Sequence, residues 1–316
     1  MSLTFILNTL IAGLTIGSLY ALIALGYTLV YGIIELINFA HGDVFMVGAF
    51  LSWLALNALF GAQLNANGGA GVLDGGPLIL SILVAFTVSM VGCAILGVVI
   101  ERFAYRPLRR APRLAPLVTA IGVSFILENV VQLWQGSNSQ NYPSLLNQQT
   151  YSIGNVSITN IQILVIASSL VLMVAMVLLV QRTRIGRAMR AAAQDPEAAT
   201  MMGVDINRVI TVTFIVGSAL AGAAGVVWGI SQNSIDYHMG FTAGLKAFTA
   251  AVLGGIGNIR GAVLGGIAIG VVEQFVETSG TGAGLPWSET VVFLLLVIVL
   301  VVRPSGLLGT QVVEKV

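Results

Sequence analysis

Charge is what this sequence has least of. Only 9% of its 316 residues are Asp, Glu, Lys or Arg, against roughly 25% in an average soluble domain, too few to cover a water-facing shell. The scarcity is patterned: no charge precedes Glu35, only Asp74 falls between Asp43 and Glu101, and only Glu128 falls between Arg113 and Arg182. Cysteine is reduced to Cys93, which excludes disulfides and cysteine-based metal sites. The two histidines, His41 and His238, have no ligand cluster around them, which argues against a metal centre. A phosphate-binding loop needs lysine directly after glycine, but Lys246 follows Leu245 and Lys315 follows Glu314, so the chain carries no ATP site of that kind. No nucleophile, base and acid set stands outside the apolar runs. A net charge of +1 gives no sign of a nucleic-acid partner. The first 25 residues lack the basic start of a cleavable signal, so their apolar run reads as a retained span.

What is present is hydrophobic sequence, 57% of the chain. Crossing about 30 Å of hydrocarbon takes roughly 20 apolar residues as helix. That rule predicts spans near 5–33, 44–60, 78–100, 117–134, 160–181, 209–230, 244–257, 261–276 and 289–302. The fold class is therefore an all-α polytopic membrane protein of eight or nine transmembrane helices with discontinuous segments, built as a single domain over 1–316. The first run is longer than one span needs. The pair at 244–276 is short and glycine-rich and reads as a helical hairpin.

Orientation follows from arginine, because positively charged short loops stay in the cytoplasm. Arg102, Arg106, Arg109, Arg110 and Arg113 share one loop, and Arg182, Arg184, Arg187, Arg190 and Arg208 another. Both are expected inside, with the arginine-free 135–159 loop outside. Carried along the chain, this places 61–77, 231–243 and the N-terminus outside, and Arg260 and the tail after Arg303 in the cytoplasm. Lys246 is the misfit. Trp134, Trp228 and Trp287 fall at outer span ends, where interfacial rings are favoured.

Glycine, 37 residues in all, recurs at a spacing of four: Gly13 and Gly17, Gly225 and Gly229, Gly257, Gly261 and Gly265, Gly266 and Gly270. Such pairs let helix backbones approach closely in lipid. Two stretches go beyond packing, because polar residues and glycines interrupt the apolar pattern: Glu35 to Asp43, with Asn38, His41 and Asp43, and Gly254 to Gly261, with Gly255 and Asn258. Each reads either as a broken helix lining a transport pathway or as an ordinary cytoplasmic turn. Glu128 is taken as the one acid well inside a span, either functional or solvated at the interface.

The loop at about 182–208 is the most informative. Asp195 is a favoured N-cap, Pro196 fits the first helical position, Glu197 adds an acid to the first turn and Gly203 suits a left-handed stop. This predicts a helix over 196–202. A helix of two turns is marginal alone in water, so it is held either by a partner or by the membrane surface.

Here the residues carry a family likeness. The loop, with Glu197, Ala198, Ala199 and Gly203, is similar to the cytoplasmic coupling segment of binding-protein-dependent ABC importers. The chain as a whole resembles the LivH type of branched-chain amino acid permease. The matching stretches are Leu36 to Asp43 with Gly48 and Ala49, Arg187 to Ala191 including Arg190, Val252 to Asn258, Gly261 to Gly266, and Val302 to Gly309. The resemblance implies a type II importer-like permease in the bacterial inner membrane. It also implies a second homologous permease subunit, two ATP-binding cassette subunits that hold ATP and magnesium, and a periplasmic amino-acid-binding protein. This chain would bind no cofactor. A related branch carrying urea and short amides, a passive channel and an ion-driven transporter remain as alternatives. The last would call for paired intramembrane acids.

Overall fold

The computed structural model describes residues 2–66, 75–109, 111–112, 114–279, 287–303 and 305–309. Asp74, Arg110, Arg113, Pro304 and the 67–74 part of the 61–77 loop lie outside the described residues.

The helices are α1 (Leu3–Ile34), α2 (His41–Ala66), α3 (Gly76–Ile100), α4 (Leu114–Gln135), α5 (Asn160–Arg182), α6 (Arg184–Gln194), α7 (Pro196–Met201), α8 (Ile206–Gln232), α9 (Met239–Gly254), α10 (Ile259–Ser279) and α11 (Trp287–Val302). Seven are long and apolar enough to cross a bilayer, and α9 and α11 are shorter apolar helices of 16 residues each. The run from residue 5 is one continuous helix of 32 residues, about 48 Å at helical rise. The hairpin of the 244–276 region is shifted: α9 starts at Met239 and the break falls at 255–258, while α10, at 21 residues, is long enough to span. Four short strands modify the all-α expectation. β1 (Gln140–Asn141) pairs with β4 (Ser234–Ile235), and β2 (Thr150–Ile153) with β3 (Val156–Thr159).

The core is organised around α1 and α8. Every α1 residue from Gly17 to Val30 is buried. Lipid tails offer no hydrophobic drive for helix association, so close van der Waals approach has to supply it. The spaced glycines do this. Gly13 and Gly17 of α1 meet Gly266 and Gly270 of α10, and a Cβ on Gly17 would lie only 2.8 Å from the Cα of Ile267. Gly225 of α8 lies against the backbone of Phe45 to Ala49 on α2, and Gly229 against the Tyr142 ring. Polar cross-links add direction. Ser89 Oγ on α3 sits 2.8 Å from the carbonyls of both Gly48 on α2 and Gly222 on α8. Cys93 Sγ, one turn on, donates to Val44 O at 3.3 Å.

The outer layer is apolar side chain exposed on α3, α4, α5 and α11, with Leu133 88% and Val301 77% exposed. In a bilayer these face hydrocarbon. At the end away from the arginines, Tyr142 reaches in from its loop to Ser52 Oγ at 2.9 Å, and burial holds its phenol above the ordinary tyrosine range.

Candidate translocation site and docking element

The first interrupted stretch joins α1 to α2. α1 ends at Glu35 in a left-handed turn, φ +51, and residues 35–40 are non-helical. Helix resumes at His41, whose ring lies against Gly26 and packs on Tyr27 with centroids 4.8 Å apart. Gly26 stands about 12 Å up α1 from Ile34 at helical rise, so the chain climbs back into the bundle before α2 begins. Asn38 and His41 are buried, and Asp43 is fully so.

Asp43 meets two other elements there. Its Oδ2 accepts from Ser124 at the middle of α4. Its Oδ1 faces Gly240 in the first turn of α9, where helix N–H groups favour an anion. Gly42 abuts Gly240 and Gly244, so α2 and α9 start against each other inside the bundle. One helical turn beyond Ser124, Glu128 is paired to His238 Nδ1, the residue just before α9, at 2.5 Å. Glu128 therefore has a partner, supplied by another element. The structure gathers Asp43, Glu128 and His238 around the start of α9 and places Asn38 elsewhere.

The second interrupted stretch also breaks, at 255–258 between α9 and α10. Gly255 (φ +101) and Gly257 (φ +91) adopt conformations that side-chain-bearing residues rarely take. Asn258 caps α10 through Oδ1, accepting from Arg260 N at 3.1 Å and Gly261 N at 3.3 Å, and donates to Leu308 O at 2.8 Å. Leu307 N and Leu308 N bond the carbonyls of Leu253 and Gly254. The segment 305–309 is thus a strap across this break. Between the two breaks, Tyr27, Tyr31, Ile37, Phe248, Ala251 and Ile256 line a small open recess.

One expectation is corrected. Glu128 is not the only acid inside a span, because Glu273 of α10 is buried and its Oε1 accepts from Lys246 Nζ of α9 at 2.7 Å. Glu289 of α11 adds a second carboxylate 3.4 Å from the same amine. This also explains Lys246, the misfit to the arginine pattern, as an interior cation held by two helices. Charge counting along single spans missed the pair, since its members are 27 residues apart. The signal available was the misfit itself.

The 182–208 loop holds two helices where one is expected. Thr183 caps α6, which ends at Gln194, and Arg190 of α6 donates to Val180 O. Asp195 Oδ1 accepts from the N–H groups of Glu197 at 3.0 Å and Ala198 at 2.9 Å. Pro196 opens α7, Met202 ends it, and Gly203 follows at φ +85. Ala199 packs inward while Arg187, Glu197 and Ala198 are exposed. Met201 and Met202 stand 88% and 84% exposed, a paired apolar projection beyond the ends of the spans.

Among the described residues no group of His, Cys, Asp and Glu could hold a metal ion. A polytopic bundle with seven helices long and apolar enough to cross a bilayer, and a two-helix projection at one end, has the architecture of a membrane permease. The chain belongs to the family described as branched-chain amino acid transport system permease component, whose model matches residues 9–300. It is 44% identical over 314 residues to the high-affinity branched-chain amino acid transport system permease protein BraD of Pseudomonas aeruginosa, covering 98% of each chain. It is 41% identical over 317 residues to LivH of Escherichia coli strain K12, covering 99% of this chain and 98% of that one. A probable LivH of Methanocaldococcus jannaschii is 28% identical over 93% of this chain and 90% of its own. No solved structure gives a significant match.

Proposed function

We propose that this chain translocates branched-chain and other neutral amino acids across the bacterial inner membrane as one permease subunit of an ABC importer. Its near relatives carry branched-chain amino acids in their names, and the observation that carries the energetic part is the α6–α7 projection. A short helix capped by Asp195, ended at Gly203 and tipped with two exposed methionines has no reason to stand free in water. It fits a groove on an ATP-hydrolysing partner. Two such subunits would bind ATP and magnesium, this chain binding neither. A second homologous permease and a periplasmic amino-acid-binding protein complete the assembly. The N-terminus lies outside, and the arginine-bearing loops and C-terminus lie in the cytoplasm.

In this reading Arg187, Arg190, Asp195 to Ala199 and Gly203 form the docking element. Asn38, His41, Asp43, Gly254, Gly255 and Asn258 mark the two breaks that border the pathway, and Glu128 of α4 adds a carboxylate beside the start of α9. The test is reconstitution of the chain with its genomic neighbours in proteoliposomes. Copurification of an ATPase and vanadate-sensitive leucine uptake are expected. Leucine uptake indifferent to ATP would overturn the reading, and preferential uptake of urea would reassign the substrate.

A further inference from the structure

Between the docking element and the first break runs a chain of side-chain contacts that the proposed function does not use. The docking helices are joined stiffly to α8. Gly203 N and Val204 N bond back to the carbonyls of Thr200 and Ala199, and Asp205 caps α8 by accepting from Arg208 N at 3.2 Å. The next residues of α8 face the segment that follows α3. Asn207 Oδ1 accepts from Arg109, whose guanidinium also pairs with Glu101, and Thr211 Oγ1 lies 3.2 Å from the second oxygen of Glu101. Asn207 and Thr211 are four apart, hence on one face of α8.

Glu101 is itself buried, and it opens a π-helical turn, Glu101–Tyr105, that extends α3. Wider turns of this kind inside helices are often found at functional sites. The turn ends on Tyr105, a buried residue whose ring lies against Phe214 of α8 with centroids 5.2 Å apart. Its hydroxyl lies 3.1 Å from Asn38 Oδ1 and 3.3 Å from Ile37 O. Both belong to the non-helical segment 35–40, and Ile37 lines the recess between the breaks. In that buried setting the tyrosine proton is the donor given to the segment, which no helical ladder holds.

We infer that Tyr105 is a positioning residue that ties the segment 35–40 to α8, so that displacement of α6 and α7 by the partner ATPase is delivered to the recess; this rests on the ATP-driven reading above. The links from α8 to Glu101 and Arg109, from Tyr105 to Phe214 and from Tyr105 to the segment 35–40 are side-chain bonds or ring contacts between different elements, and the π-helical turn itself joins Glu101 to Tyr105. The serial order is α7, α8, the Glu101–Arg109 pair, Tyr105, then Asn38 and Ile37. A tyrosine that served packing alone would lose little with its hydroxyl. A tyrosine that steers the segment would separate ATP hydrolysis from uptake.

The experiment compares wild type, Y105F, T211V and the double variant in the reconstituted complex with its ATPase, second permease and binding protein. Leucine taken up per ATP hydrolysed is the readout. Y105F keeps the ring and T211V keeps the shape. Each is expected to lower the ratio about fivefold while complex yield stays unchanged, and the double variant to be no worse than the weaker single one. T211V leaves the buried ring untouched and carries the same test if Y105F does not assemble. An unchanged ratio in the assembled variants overturns the inference, as do losses that multiply independently in the double variant. Wild-type uptake that ignores ATP overturns the functional reading and this inference together, which tells the two failures apart.

Discussion

Lys246 Nζ and Glu273 Oε1 sit 2.7 Å apart between α9 and α10, the amine only 12% exposed and the carboxylate 4%. Breaking one half of a buried pair strands the other charge, which typically costs about 3–5 kcal/mol, whereas removing both is often neutral. K246M alone should therefore lower thermal stability in detergent sharply. The K246M/E273L double variant should recover most of the loss, and a double variant no better than the single one would refute the pairing. Glu289, half-exposed at the start of α11, screens the amine too weakly to substitute for Glu273.

Gly270 of α10 has no room for a side chain, since a Cβ there would overlap the backbone of Gly17. Overpacking usually costs about 1–3 kcal/mol, and more where backbone blocks relaxation. G270L should give little monodisperse protein on size-exclusion chromatography. G122L is the control, because nothing lies within 4 Å of a Cβ at Gly122. Equal yields from the two variants would contradict the glycine-to-glycine seam.

The docking element makes a separable prediction. At Gly203, φ +85, a side chain costs about 1–2 kcal/mol of local strain, and D195A removes a cap worth about 1 kcal/mol. Both losses are local. G203V and D195A should leave the thermal transition of the membrane core nearly unmoved while reducing capture of the ATPase subunits in pull-down. Full capture by both would remove the docking assignment.

The His238 and Glu128 pair is worth little to the fold. His238 is 53% exposed and Glu128 12%, and partly solvated pairs contribute about 0–1 kcal/mol. H238A should shift the melting temperature by no more than a few degrees. If uptake nonetheless falls severalfold, the pair serves the pathway; uptake within error of wild type assigns it to the surface.

Most of the fold was legible because a bilayer leaves few options. Charge-free runs of sufficient length must be helices, and seven of the predicted spans correspond to long helices with ends displaced by a few residues. The Asp195, Pro196 and Gly203 signals were local chemistry and reappear as a capped and stopped helix. Less legible was whatever depends on two distant elements meeting. Glu273 falls within an apolar run, and only the fold sets Lys246 across from it; α6 is hidden because Arg184 to Gln194 carries loop-like charge. The depth of His41 could not be read from spacing, since the climb from Glu35 to His41 is set by contact with Gly26. Asn258 suits a pathway by its place among glycines, while its bond to Leu308 depends on a segment 50 residues away.

Cys93 is the chain's one thiol, buried with its proton given to Val44 O. A buried thiol in apolar surroundings is inert toward alkylating reagents. The native protein is consequently ready for site-directed labelling without first deleting a background cysteine. A fluorophore or spin label on M202C would report the docking helix, and one on an exposed position of α5 would serve as a reference, all within the unaltered core.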